Sequence, residues 1–392
     1  SVMEAARSLG CSKRGAFLRV ALPLARQAIV VGLSIALMET LADYGTVQYF
    51  GLSTFTTGIY RTWNGLGSSV GAAQLSALLL GFVFILVSLE AWSRQQSQFF
   101  NTGARSRPSD PEALRGLSLC LAYAVCGVPV LLGFVVPFLQ LLFWASITYD
   151  TILTSDFAGY LFNSVTLAAL TASAALGLAL FIAYGKRAFP SNVSRVSARL
   201  VGLGYALPGT VVAIGVLVPF AWFDNRLSEF MVANFNYNTG LLLSGTVFIL
   251  VFAYLVRFLP IALNTVDAGL TKIRPSMDEA GRSMGLSPAA LLRRVHIPIM
   301  RGSLATALLL VFVDVLKELP ATLLLRPFNF NTLAIRTFEL ANEERLADAA
   351  GPALAIVLAS LIPVILLSRT LRHAGEASSS LPQASVPSDE NQ

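Results

Sequence analysis

Apolar residues along this chain come in long, nearly unbroken runs rather than in the short alternations of a water-exposed surface. In windows of about 19 residues the runs fall at 27–50, 71–92, 117–143, 161–185, 200–222, 241–263, 303–325 and 351–368. A hydrocarbon core about 30 Å thick is crossed by roughly 20 helical residues at 1.5 Å each. The pattern therefore predicts eight transmembrane helices and an all-α, polytopic bundle. The run from Leu117 contains Pro129 and Pro137, which predicts a kink or a partly re-entrant segment. Two stretches, 93–115 and 373–392, are too polar to pack and read as linker and disordered tail.

Composition agrees and excludes a water-soluble enzyme. Of 392 residues 55% are hydrophobic and only 13% charged, against about 25% charged in an ordinary soluble domain. Cys11, Cys120 and Cys126 have no paired metal spacing and carry no disulfide or zinc argument. The chain starts at Ser1, with no charged-then-apolar leader ahead of the first run.

Placement of the basic residues sets the orientation. Arg7, Lys13, Arg14, Arg19 and Arg26 precede the first run; Arg94, Arg105, Arg107 and Arg115 follow the second; Lys186, Arg187, Arg195 and Arg199 follow the fourth. Lys272, Arg274, Arg282, Arg293, Arg294 and Arg301 follow the sixth, with Arg257 near the loop's edge, and Arg369 and Arg372 begin the tail. The opposite loops hold Arg61, Arg226, Arg326, Arg336 and Arg345. By the positive-inside rule the first set is cytoplasmic. Basic runs beside spans mark topology and headgroup contact rather than nucleic-acid binding.

A shift of 275 residues superimposes SVMEAARSLGCSKRGAFLRVALPLAR on SMDEAGRSMGLSPAALLRRVHIPIMR. Glu4 falls on Glu279, Ala5 on Ala280, Arg7 on Arg282, Gly10 on Gly285, Ser12 on Ser287, Pro23 on Pro298 and Arg26 on Arg301. The register continues to FTTGIYRTW over FNTLAIRTF. The matches fall on Gly, Pro and charged residues rather than on interchangeable apolar ones. Six runs separate the copies, so both lie on the cytoplasmic face as parallel repeats. The last four of these runs, from 117 onward, precede the second copy within its own half and none precedes the first, so the expectation is a protein of two six-span halves whose first four helices are absent from this sequence. The division is then 1–92 for the end of the first repeat, 93–116 for a cytoplasmic linker, 117–372 for a complete second repeat and 373–392 for the tail.

Each repeated loop reads Glu-Ala-Ala/Gly, three residues, Gly, nine residues, then Val-x-Leu/Ile-Pro. The spacing predicts a short helix with a small-residue face, a glycine able to take positive φ, and a second short helix, with Pro leading into the next span. Small residues let another surface approach closely, and the glutamate near a helix start holds the turn or meets a partner's basic group.

This pattern resembles the EAA loop of permease subunits in bacterial binding-protein-dependent ABC importers, a family of the MetI-like helical fold. The resemblance implies that Glu4, Ala5, Ala6, Gly10, Pro23 and Glu279, Ala280, Gly281, Gly285, Pro298 couple the chain to a cytoplasmic ABC ATPase dimer. Gly281 departs from the usual second alanine but stays small. The two-halves-in-one-chain layout, with ETLADYGTVQYFGLSTFTTGIYRTW and LKELPATLLLRPFNFNTLAIRTFELA, resembles the ferric-iron importer permeases. Permeases for thiamine, polyamines, sulfate and phosphonates share much of that framework.

The run after each loop contains acids: Glu39 and Asp43 in the first repeat, Asp314 and Glu318 in the second, each pair spaced i, i+4 so that both carboxylates would project from one helical face. An ionisable group inside a membrane costs at least about 2.5 kcal/mol and normally faces a bundle interior or a wet cavity. One reading has the four acids lining the path for a cation, Fe³⁺ being a hard acid suited to oxygen ligands. The other has them neutralised locally, Lys317 pairing with Asp314 or Glu318, or already in water at the helix ends. His296 stands where the first copy has Ala21 and reads as an interface residue rather than a metal ligand, while Pro208 and Gly209 mark either a helix break beside a path or a plain kink.

No GxxxxGK[ST] phosphate loop is present, so the expectation is a transport permease, not an enzyme, with ATP hydrolysed on a separate subunit and no cofactor or stably bound metal of its own. A periplasmic binding protein would deliver substrate, most simply ferric iron, to a multi-pass protein of the bacterial inner membrane. An ion-coupled secondary transporter would explain the acids and the parallel repeats but not the duplicated loop; a non-transporting scaffold or sensor is the third class.

Overall fold

The computed structural model describes residues 6–95, 114–152 and 155–379, and these are helical without strands. In chain order α1 runs through Lys13–Ala16, Phe17–Ala21 and Leu22–Ala42, followed by α2 Gly45–Tyr49, α3 Phe55–Asn64 and α4 Ser69–Gln95. Next come α5, through Leu117–Val130, Leu131–Val135 and Val136–Ile147, then α6 Ser155–Ala188, α7 Asn192–Gly202, α8 Gly209–Phe235 and α9 Val247–Thr271. The second repeated loop carries α10 Pro275–Ser283; α11 runs through Pro288–Leu291, Leu292–His296 and Ile297–Leu316, and α12 Pro320–Leu325, α13 Leu333–Asn342 and α14 Leu346–Ser379 complete the order. Seven of the described helices are long and apolar enough to cross a membrane, and α1 is an eighth if its segments Arg14–Arg26 and Ala28–Ala42, bent by 56°, form one span.

Three boundaries differ from the sequence expectation. The segment from Leu117 is neither broken nor re-entrant but one continuous 31-residue helix. The last helix does not end at residue 372; it carries on to Ser379, through a stretch whose Ala, Glu and His residues are compatible with helix, and 380–392 lie outside the described residues. Of the linker, α4 takes residues up to Gln95, and 96–113 are likewise outside.

Proline explains the unusual turns. α1, α5 and α11 each contain one π turn, at Phe17–Ala21, Leu131–Val135 and Leu292–His296. Each ends two residues before a proline: Pro23, Pro137 and Pro298. A proline ring clashes with the carbonyl four residues back and leaves it without a donor. Those carbonyls belong to Arg19, Gly133 and Arg294, at the middle of each widened turn, where i to i−5 bonding makes room. Leu22 N–H donates to Phe17 O, Val136 N–H to Leu131 O and Ile297 N–H to Leu292 O. The second short helix expected before Pro298 is therefore the first turn of the span itself.

The 275-residue register is structural. Besides the π turns, Gly10 (φ 89°) and Gly285 (φ 78°) take the same left-handed conformation, α2 and α12 start at equivalent positions, and the break between span and short helix falls at Asp43 and at Glu318. At each break an acid caps the short helix: Asp43 Oδ1 accepts from Thr46 N–H at 3.4 Å and Glu318 Oε1 from Ala321 N–H at 3.1 Å. The i, i+4 argument for a shared helical face fails here, because α1 ends at Ala42 and α11 at Leu316, so the second acid of each pair has turned away to cap.

Contacts divide the chain into two compact units. One takes residues up to Tyr160 with 203–257 and 318–354; its core packs Ile59, Ala72, Leu79, Val211 and Ile214 against Leu41, Phe55, Trp63 and Leu324. The two helix breaks meet in it: a Cβ on Gly45 would lie 3.1 Å from the tip of Leu319. The other takes 161–202, 258–317 and the residues from Ala355 onward. In it Ala168, Ala172, Ala175, Ala179 and Ala183 form a buried seam along α6, and Gly269 lets α9 lie against Ser303 of α11, which a Cβ would meet at 2.9 Å. Small residues at helix contacts allow backbones to approach without a hydrophobic driving force.

Gly209 starts α8 beside a buried ion pair, Arg257 Nη1 to Glu318 Oε2 at 2.6 Å, and a Cβ there would collide with both side chains. Gly215, one helical stretch further on, has open space around it. Gly209→Ala is expected to cost about 1–3 kcal/mol through overpacking and to lower the melting temperature of the purified protein in detergent, whereas Gly215→Ala leaves it unchanged.

Candidate functional site

In the second repeated loop, α10 begins at Pro275, whose missing N–H is no loss at a first helical position. Met284 ends it, with Gly285 N–H donating to Arg282 O and Leu286 N–H to Gly281 O. Only a residue tolerant of positive φ fits at 285. Ser287 then caps the following helix, accepting from Ala290 N–H.

The inner face of α10 is held by polar contacts. Asp278 Oδ2 accepts from Arg187 Nε and Asp278 Oδ1 pairs with His296 Nε2, both at 2.7 Å. Arg187 also donates to Leu270 O, which accepts from Ile273 N–H as well, and to Ile273 O just past the end of α9. His296 is wholly buried, and its Nδ1 meets no hydrogen-bond partner among the described residues, which suits the tautomer with its proton on Nε2. The Tyr184 ring stands edge-on to His296 at 5.3 Å, and its hydroxyl donates to Pro288 O at 2.7 Å. Burial alone would raise the pKa of Asp278, but hydrogen bonds from Arg187 and His296, with the charge of the Arg187 guanidinium, outweigh it and hold the carboxyl below its usual range. A depressed carboxylate pKa stabilises the fold at pH values above the unfolded pKa of about 4 and is lost only as pH falls through the folded value, so this link is intact at neutral pH.

The outer face is different. Met277, Ala280 and Met284 lie exposed at helical spacing, flanked by exposed Glu279 and Arg282. In the first loop Leu9, the counterpart of Met284, is 85% exposed against 73%. Glu4 and Ala5 lie outside the described residues. Ala6 is buried, and Gly10 N–H donates to Arg7 O and Cys11 N–H to Ala6 O, the same turn as in the second copy. Ser12 again caps, accepting from Gly15 N–H. Pro23 and Pro298 sit just past the π turns.

The departure at Gly281 has a packing reason. A Cβ there would lie 2.5 Å from Leu291 Cδ1; in the first copy the corresponding residues are Ala6 and Ala16, both buried. Glycine at 281 leaves the room that the larger Leu291 takes, where the first copy has two alanines.

The acids have unlike surroundings. Glu318 is buried, bonded to Arg257 and capping α12. Arg257 does not sit at the edge of a cytoplasmic loop as its position in the run suggested: it lies fourteen residues, about 21 Å, from the end of α9 at Thr271. Asp314 pairs with Lys317 at 2.9 Å, and Lys317 is 61% exposed. Glu39 is exposed and accepts from Tyr205 Oη at 2.8 Å. Neither Glu39 nor Asp43 has a basic partner among the described residues. No group of three His, Cys, Asp or Glu there is placed to hold a metal ion. Sequence reasoning missed Asp278, Arg187, Tyr184, Arg257 and Tyr205; the available signal was that Met3 and Ala21 of the first copy are replaced together by Asp278 and His296.

The family model for the inner membrane component of binding-protein-dependent transport systems matches residues 1–94 and 175–375. The Fe(3+)-transport system permease protein FbpB 2 of Haemophilus influenzae is 28% identical over 94% of this chain and 71% of its own length. A permease protein of Salmonella typhimurium, named for 2-aminoethylphosphonate transport, is 24% identical over 55% of this chain and 76% of its own. Among solved structures, a bacterial ABC transporter involved in import of the acidic polysaccharide alginate superimposes with a TM-score of 0.52 at 15% identity, over 65% of this chain and 95% of that one. That likeness shows the fold.

If Gly281 and Leu291 share one volume, Gly281→Ala destabilises the protein and its cost depends on residue 291. In a double-mutant cycle with Leu291→Ala, melting temperatures are expected to give a coupling of about 1 kcal/mol, the pair costing less than the sum of its members.

Proposed function

This chain belongs to the family of inner membrane components of binding-protein-dependent transport systems, and we propose that it forms the path by which ferric iron, delivered by a periplasmic binding protein, crosses the membrane. It is a multi-pass inner membrane protein and an ABC importer permease, a transport protein rather than an enzyme. The proposal adds substrate, partners and residue roles. Its two repeated loops dock on a cytoplasmic ATPase dimer, Met277, Ala280 and Met284 in one and Leu9 in the other entering grooves on that partner. Closure of the ATPases on ATP moves the loops and switches access to the path.

The single observation that carries this reading is the duplicated loop: two copies with the same left-handed glycine, the same serine cap and an exposed apolar residue at the same place. A secondary transporter has no use for it. Iron is favoured over an anionic solute by the first-repeat acids, since Glu39 and Asp43 offer oxygen ligands with no basic partner among the described residues, and Tyr205 adds a phenolic oxygen. The residues 1–92 and 117–372 act as the end of one repeat and the whole of the other.

Inside-out and right-side-out vesicles carrying the permease with its ATPase and binding protein test both levels. Radiolabelled Fe³⁺ is expected to enter only with ATP, with 2-aminoethylphosphonate giving no competition; competition would move the substrate to phosphonates, and uptake driven by an ion gradient without ATP would overturn the importer reading. Glu39→Gln with Asp43→Asn, which keeps the helix-capping oxygen, is expected to cut iron uptake about tenfold, near 1.4 kcal/mol, without loss of assembly. Leu9→Asp with Met284→Asp is expected to abolish co-purification of the ATPase.

A further inference from the structure

The two loops are not held alike. In the second, one carboxylate gathers three elements: Asp278 of α10 accepts from Arg187 at the end of α6 and from His296 in the π turn of α11. Arg187 extends the link to the end of α9 through Leu270 O and Ile273 O. The connection is shielded from water, with His296 fully buried and Asp278 nearly so, and a hydrogen-bonded ion pair in such surroundings resists opening. In the first loop the corresponding residues are Met3 and Ala21. Neither side chain carries a charge or a hydrogen-bonding group of that kind, so this bridge has no counterpart there.

We propose that Asp278 and Arg187 are positioning residues that clamp the second coupling helix rigidly to the spans α6 and α11, so that the two loops transmit ATPase movement unequally. The proposal rests on the importer reading above. Movement of α10 pulls on Arg187 and His296 at once. His296 closes a π turn, whose wider bonding is the place where α11 most readily changes pitch. Displacement of the second loop therefore reaches two spans directly, through a link that Met3 and Ala21 do not provide in the first. Contact with the ATPase is made by the opposite face of α10, through Met277, Ala280 and Met284, and is not altered by changes at Asp278.

The test uses the full chain co-expressed with its ATPase and binding protein, comparing wild type, Asp278→Asn, Arg187→Gln and the double variant Asp278→Met with His296→Ala, which installs the first loop's residues. Hydrogen exchange on the purified complex is expected to show amides of 279–285 exchanging at least about tenfold faster in the variants, with other helices unchanged. The ATPase still co-purifies and hydrolyses ATP, while substrate moved per ATP falls at least about fivefold, a loss of coupling that simple destabilisation does not produce. Asp278→Glu and Arg187→Lys, which keep the charges but lose bonds, are expected to fall between; they decide the matter if the neutral variants do not accumulate. Unchanged exchange overturns the clamp. Faster exchange with an unchanged transport ratio overturns its role in coupling. Failure of the wild-type chain to bind an ATPase overturns the importer reading and leaves the exchange result, and so the clamp, standing.

Discussion

A backbone inside hydrocarbon has no water to bond, and each amide or carbonyl left without a partner there costs several kcal/mol. The irregular features of this chain follow from that one constraint. Pro23, Pro137 and Pro298 each deprive a carbonyl of its donor, and in each case the turn before them opens to a π turn that lets a later amide reach back. Where α1 and α11 end, at Ala42 and Leu316, an amide of the next short helix is taken by Asp43 and by Glu318. Threonine and serine side chains inside the spans return their hydroxyls to the preceding turn, as Thr40 does to Ala36 O, Ser76 to Ala72 O, Thr265 to Ile261 O and Thr306 to Gly302 O. Breaks in the helices are thus places where polar atoms have to be supplied, and a polar atom supplied for structure becomes available for function.

The same rule orders the intramembrane charges. Glu318 cannot be both a buried cap and an isolated anion, and Arg257 on the neighbouring helix resolves the conflict at 2.6 Å. Removing one member of such a pair leaves an uncompensated charge, which is far costlier than never having had the pair. Gly209 is glycine because those two side chains occupy the space a Cβ would need. In the first repeat the equivalent cap is the shorter Asp43, only half-buried, with no basic partner among the described residues, and Glu39 leans on a phenol instead of a cation. Four acids at equivalent repeat positions therefore divide into a pair with basic partners and a pair with none among the described residues.

Most of the architecture was legible because its signals are local. Unbroken apolar runs gave the spans, and the 275-residue repeat located both loops and the glycine turns within them. What failed had a common cause. The i, i+4 spacing of Glu39 with Asp43 and of Asp314 with Glu318 was read as one helical face because periodicity says nothing of where a helix stops, and both helices stop before the second acid. Arg257 was assigned to a loop edge because its partner Glu318 is sixty-one residues away. Asp278 passed unnoticed for the same reason, its fixed neighbour Arg187 lying ninety-one residues earlier. The π turns that precede Pro23, Pro137 and Pro298 are features no composition rule foresees.

A duplicated chain carries a second kind of information, in what its copies exchange. Positions dictated by backbone geometry alone come out the same in both: glycine where φ is positive, serine where the next helix needs a cap, proline after the π turn, an acid at the break. Positions dictated by packing change in pairs. Ala6 with Ala16 becomes Gly281 with Leu291, the glycine clearing room for the leucine, and Met3 with Ala21 becomes Asp278 with His296, two apolar residues giving way to a hydrogen-bonded pair. In each case the two residues that changed together are in contact in the second copy. Paired exchange between repeats is then a readable sign of contact when no relatives are compared, and it marks the points at which two halves built on one plan have come to do unequal work.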